Sequence, residues 1–164
     1  MRQSFKDFLI RDWRVGDRDA AAEVVKAVLA EYGLSWEAGG CGCSDRDVVE
    51  VEKSYWQSGG EFWVVEKAGE LVGTGGYLPI ARGENAAEIR KMYLSPSARG
   101  QGLGRYLLAE LEKAAAEKGF GEVWVETATV LTEAVRLYER NGYKPRSGVE
   151  TARCDKVYSK SLEQ

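Results

Sequence analysis

The chain has 164 residues, 44% apolar and 30% charged, which is the size and make-up of a single globular domain spanning residues 1–164. Lys and Arg number 23 against 26 Asp and Glu, a net charge of −3 that argues against a duplex nucleic-acid binder or a polybasic membrane-surface protein. Histidine is absent, so Ser-His-Asp and Cys-His catalysis and every His-containing zinc site are excluded.

No apolar run approaches the ~18 residues of a membrane span, and the first residues (MRQSFKDFLIRDW) lack a signal-peptide core. Of the three cysteines only Cys41 and Cys43 lie close together, too few ligands for a structural zinc site. The expectation is free thiols in a reducing cytoplasm, with no metal.

In chain order, residues 9–14 read as a first strand. Asp17 then caps a helix with Ala21, Val24, Val25, Val28, Leu29 and Tyr32 on one face, and Gly33 stops it. Residues 34–43 form a loop holding Trp36 and a Gly-Gly-Cys-Gly-Cys run. Ser44 with Asp47 resembles a capping box ahead of a thinner stripe of Val48, Val51 and Tyr55. Period-two segments follow at 61–66, 71–78 and 87–94, joined by short turns, and are most simply an antiparallel meander.

Beyond Pro96 the pattern turns helical, with Leu103, Tyr106, Leu107, Leu111, Ala114 and Ala115 aligned and Gly119 as the stop. A strand at 122–126, a helix at about 131–141 ended by Gly142, and strands at 143–145 and 154–160 complete the chain. The order β-α-α-β-β-β-α-β-α-β-β predicts a mixed α/β (α+β) fold. Its sheet is mostly antiparallel, with six to seven strands and about four flanking helices.

The chemistry concentrates at Arg99-Gly100-Gln101-Gly102-Leu103-Gly104-Arg105, between a strand and an amphipathic helix. Alternate glycines let backbone approach a ligand, and the helix N-terminus presents free N–H groups and positive dipole. The combination suits a phosphate or pyrophosphate, with Arg99 and Arg105 adding charge at the rim. A Rossmann fingerprint fails at Arg105, and a P-loop lacks its terminal Gly-Lys-Ser/Thr.

The segment from Tyr93-Leu94-Ser95-Pro96 through Arg99-Gly100-Gln101-Gly102-Leu103-Gly104 resembles the acetyl-CoA signature of the GNAT superfamily of N-acetyltransferases. Leu137-Tyr138-Glu139-Arg140-Asn141-Gly142-Tyr143 is similar to a second motif of that family, and the order of elements also agrees. The resemblance implies a splayed strand pair admitting acetyl-CoA. Backbone groups of Met92, Tyr93 and Leu94 would pair with the pantetheine amides, and N–H groups from Gly100 to Arg105 would hold the pyrophosphate. It further implies Glu88 as general base and Tyr138 as the acid that protonates the leaving thiolate.

One departure is Leu131, where relatives often carry an Asn that contacts pantetheine; Thr127 or Thr129 is the expected substitute. Cys154 reads as a core thiol, not an acyl carrier. The implied activity is transfer of an acetyl group to a primary amine of a small molecule or peptide by direct attack. The alternative is a non-catalytic acyl-CoA-binding module of the same fold. Trp36, Glu37, Tyr55 and Trp56 suggest an aromatic, mildly acidic acceptor lining, although they would also serve to pack the helix pair. Homodimerisation and the acceptor's identity are left open.

Overall fold

The computed structural model describes residues 1–39 and 44–162. Cys41 and Cys43 lie outside the described residues. Eight strands form one sheet: β1 (Arg2–Phe5), β2 (Phe8–Asp12), β3 (Glu61–Lys67), β4 (Glu70–Ile80), β5 (Ala86–Leu94), β6 (Glu122–Thr127), β7 (Lys144–Arg146) and β8 (Lys156–Ser161). Their spatial order is β1-β2-β3-β4-β5-β6-β8-β7, and every neighbouring pair is antiparallel except β5 with β6.

The extra strand beyond the six or seven expected is β1, which forms a hairpin with β2. Three of its four residues are polar and exposed, so it carries no apolar alternation and can sit only at an edge. The first predicted strand is correspondingly displaced, ending at Asp12 and not at Arg14.

Strand alternation divides the core into two layers. Trp63, Val65, Ala87 and Ile89 face one cluster with Leu103, Leu107, Leu108 and Leu111 of α3 (Leu103–Glu117). Phe62 and Val64 face the other, with Ala21, Val25 and Leu29 of α1 (Arg18–Glu31). The remaining helices are α2 (Arg46–Val49), followed by a single π turn over Glu52–Trp56, and α4 (Thr132–Arg140).

The Ser44–Asp47 capping box does not form. Asp45 occupies the cap of α2, and the Asp47 carboxylate accepts the Tyr55 hydroxyl while lying 3.1 Å from Lys91 Nζ. Gly142 ends α4 as expected: its φ of +86° lets the Tyr143 N–H return to the Tyr138 carbonyl at 3.1 Å.

Candidate active site

β5 and β6 are paired only through Ala86, Ala87 and Glu88, opposite Glu122, Val123 and Trp124. β5 runs on to Leu94 and β6 to Thr127, so past Glu88 the two parallel strands part. A cleft of about 760 Å³ opens between them. Its walls include Glu88 to Leu94, Arg99, Gly100, Gly102, Gly104, Arg105, Leu131, Tyr138 and the stretch from Glu150 to Cys154.

A bulge shapes the strand on this side. Arg90 pairs with Gly76 and Tyr93 with Thr74, so Lys91 and Met92 together oppose Gly75. Lys91 has a left-handed φ of 55°, and its carbonyl accepts the Thr74 hydroxyl at 2.7 Å. The extra residue rephases the alternation. Ile89, Met92 and Leu94 face the α3 layer, while Tyr93 packs on the α1 layer and Lys91 reaches the α2 carboxylates.

The glycine-rich turn presents backbone to the cleft. Gly100 and Gly102 have φ of +74° and +83°, and Gly102 caps α3. The first intrahelical bond runs from Tyr106 N to Gly102 O, which leaves the N–H groups of Leu103, Gly104 and Arg105 without helical partners. A Cβ on Gly100 would meet nothing within 4 Å, and one on Gly102 only Phe5 Cζ at 3.8 Å. The concavity therefore has the free donors and the room that a pyrophosphate needs.

Side chains around the turn divide sharply. Leu103 is buried and anchors the helix to the core, and Gln101 folds back so that its amide donates to Ser97 O. The Gln101 carbonyl accepts Lys6 Nζ at 2.7 Å, seating the β1–β2 turn under the loop. Arg99 lines the cleft, yet its guanidinium makes a bidentate pair with Glu31 at 2.8 and 3.0 Å and its Nε donates to Leu94 O. Its charge is used to clasp the end of β5 to α1. Arg105 is exposed at the rim.

Gly102→Val would force a β-branched residue into left-handed backbone, confusing strain with lost binding. Gly104 is helical, and a Cβ there meets Leu137 and Leu94 at an ordinary 3.7 Å. Gly104→Val is expected to stay folded and lose about 10- to 100-fold in acetyl-CoA affinity, as a charge-assisted hydrogen bond contributes ~1.5–3 kcal/mol. Calorimetric titration checks it, and native affinity in the folded variant removes the cradle assignment.

Both predicted proton-transfer residues reach the same cleft. Glu88 is 4% exposed and its Oε1 is in contact with Arg90 Nε. Burial pushes the Glu88 carboxyl above its ordinary range, against the opposing pull of Arg90. Tyr138 is held by the rings of Tyr143 and Tyr158, with centroids 5.4 and 6.4 Å away. Its hydroxyl finds no hydrogen-bond partner among the described residues, and burial raises its pKa, so it stays a proton donor.

Three expectations are revised on the acceptor side. Trp36, Glu37, Tyr55 and Trp56 do not line the cleft: Tyr55 is fully buried against Asp47, and Trp56 packs on Trp13. Cys154 is half-buried in the cleft wall and not in the core, and burial lifts its thiol to about 11, which keeps it protonated at neutral pH. Thr129 is tied to Asp155 through both its N–H and its hydroxyl, whereas Thr127 lines the cleft beside Leu131.

Charged residues that no local pattern marked build this wall. Asp45, fully buried, accepts two 2.6 Å bonds from Arg153 and one from Glu37 N, with Lys91 Nζ 3.6 Å away. Glu126 accepts from Arg82 and from the N–H groups of Glu150 and Thr151, fixing the loop before β8. Asp45→Ala strands Arg153 and takes from Lys91 one of its two carboxylate partners, and is expected to cost ~3–5 kcal/mol. Denaturant unfolding measures this; a loss below ~1 kcal/mol would mean that water solvates the cluster.

Two parallel strands parting beside a helix N-terminus are the arrangement that the resemblance implies for an acyltransferase working on a coenzyme A thioester. Residues 26–143 match the Acetyltransferase (GNAT) family, and the chain belongs to it. It is accordingly an acyltransferase whose co-substrate is acetyl-CoA. It is 38% identical to the uncharacterized N-acetyltransferase YjgM of Escherichia coli K12 over 137 residues, covering 83% of this chain and 81% of that one. Similarity to the probable N-acetyltransferase family 8 member 5 of Mus musculus is 31% over 105 residues, 62% of this chain but only 46% of that protein.

Among solved structures, a GNAT acetyltransferase of Staphylococcus aureus Mu50 superimposes with a TM-score of 0.83 at 19% identity, covering 95% and 99% of the two chains. The Salmonella typhimurium protein yncA, solved with its cofactor acetyl-CoA, gives 0.74 at 18% identity over 97% and 96%. Among the described residues no group of three or more Cys, Asp or Glu side chains is placed to hold a metal, and no helix is long and apolar enough to cross a membrane.

Proposed function

We propose that the chain is an N-acetyltransferase that moves the acetyl group of acetyl-CoA directly to a primary amine of a small molecule or peptide. The observation that carries this reading is a buried carboxylate with raised proton affinity and a phenol with an unpartnered hydroxyl opening onto one cleft. Acetyl-CoA supplies the electrophilic thioester carbon. The N–H groups at the start of α3 would hold its pyrophosphate, and the free edge of β5 at Met92, Tyr93 and Leu94 would align its pantetheine arm.

An amine of ordinary pKa ~10.4 must lose a proton before it can attack, at a cost of ~4.6 kcal/mol at neutral pH. Glu88 takes that proton, and its raised pKa brings it closer to the task. Tyr138 supplies a proton to the departing sulfur. The protonated Cys154 thiol supports direct transfer over an acyl-enzyme, and the N-acetyltransferase names of the relatives favour a catalyst over a non-catalytic binding module. The test is release of coenzyme A thiol from acetyl-CoA across panels of amino acids, polyamines, aminoglycosides and peptides. No amine-dependent release from any panel would remove the reading.

A further inference from the structure

Glu88 and Arg90 stand two residues apart on β5, so both side chains project from the same face, Glu88 at the last β5–β6 pair and Arg90 just beyond it. Their contact uses only Glu88 Oε1 and Arg90 Nε. Among the described residues, Glu88 Oε2 and both terminal nitrogens of Arg90 make no hydrogen bond. The Arg90 side chain keeps 38% of its surface open, and both residues line the cleft.

Other cations at this end of the cleft are occupied. Lys91 is held by Asp45, Asp47 and the Ser44 carbonyl, and Arg153 is bidentate on Asp45. Arg90 therefore presents two unused donors beside the carboxylate that would receive the amine's proton. A guanidinium in this state matches the two oxygens of a carboxylate.

We propose that the acceptor is an α-amino acid, its ammonium meeting Glu88 Oε2 and its carboxylate meeting the terminal nitrogens of Arg90. This rests on the direct-transfer reading above and names the acceptor class for the same site. Charge balance supports it. When Glu88 takes a proton it becomes neutral, and Arg90, a partly buried cation, loses its hydrogen-bonded counter-charge and keeps only the more distant Asp47 carboxylate. A carboxylate delivered with the amine supplies that counter-charge. By engaging Arg90 it also weakens the pull that holds the Glu88 proton affinity down, at the step where Glu88 acts as base.

The experiment is thiol release from acetyl-CoA by the full chain, using the twenty L-amino acids, their primary amides and the corresponding decarboxylated amines. At least one amino acid should be acetylated with kcat/KM about 10²-fold or more above its own amide, since the amide leaves Arg90 unsatisfied. Arg90→Gln should collapse that ratio toward one mainly through KM, and Arg90→Lys should restore part of it. Amides or plain amines used as well as amino acids would overturn the proposal while leaving direct transfer standing. Thiol release by none of these probes would overturn the proposal, and direct transfer falls with it only when the polyamine, aminoglycoside and peptide panels are inert as well. The amide comparison is made on the wild-type chain, so it decides the matter even if an Arg90 variant fails to fold.

Discussion

Glu88→Gln should lower turnover on an accepted amine by ~10²–10⁴-fold at neutral pH, because it removes the group that accepts the amine's proton. The glutamine is isosteric and can still accept from Arg90, so acetyl-CoA affinity and the thermal midpoint should move little. The pH dependence is the sharper readout. Glu88 must be ionised to act, so activity should fall as pH drops through its folded pKa. Burial raises that pKa above the ordinary ~4.3, Glu126 on β6 pushes it the same way, and Arg90 and Lys91 oppose them. The acid limb of kcat/KM should therefore lie above the ordinary carboxylate range.

Removing Arg90 deletes a stabiliser of the charged form, so Arg90→Gln should move that limb to higher pH. In Glu88→Gln the limb should vanish, and the deficit should shrink as pH approaches the amine's own pKa. A Gln variant with the wild-type profile would return Glu88 to a purely structural role as the partner of Arg90.

Tyr138→Phe should reduce turnover by ~10²-fold or more while leaving acetyl-CoA binding nearly intact, since the hydroxyl matters most as charge develops on sulfur. The stability cost should be small. The wild-type hydroxyl has no protein partner among the described residues to lose, and the phenyl ring keeps its packing against Tyr143 and Tyr158. A tyrosine that served only the core would show the opposite pattern, with full activity as Phe and lost stability as Ala. Thermal midpoint, acetyl-CoA affinity and turnover on the Phe variant distinguish the two. Full turnover there would assign thiolate protonation to water or another group.

The legible parts of this molecule are those whose meaning is local. Alternate glycines between a strand and a helix need no distant partner to mark backbone that must turn and come close to a ligand. The Leu137-Tyr138 to Gly142-Tyr143 spacing is likewise a helix end written in neighbouring residues. The β5 bulge also left a trace: apolar Ala87, Ile89, Met92 and Leu94 are spaced two, three and two apart, a break in period two that marks the inserted residue. β1 left none, because an exposed edge strand has no buried face to impose alternation.

By itself the sequence determined the mixed sheet and its helices, the anion-binding helix entry, and the exclusion of histidine and nucleotide-loop chemistries. These follow from periodicity, glycine placement and composition, which act over a few residues. Only the tertiary structure decided what the charged side chains do. Arg99 reaches back to Glu31 and not freely to the cleft, and Asp45 pairs with Arg153 108 positions away to wall the acceptor side. Trp36, Glu37, Tyr55 and Trp56 were drawn out of the site while Arg90 was left in it with two open donors. The reason is physical. A buried charge must find a partner wherever the folded chain brings one, so its neighbour is chosen by topology and not by spacing along the sequence.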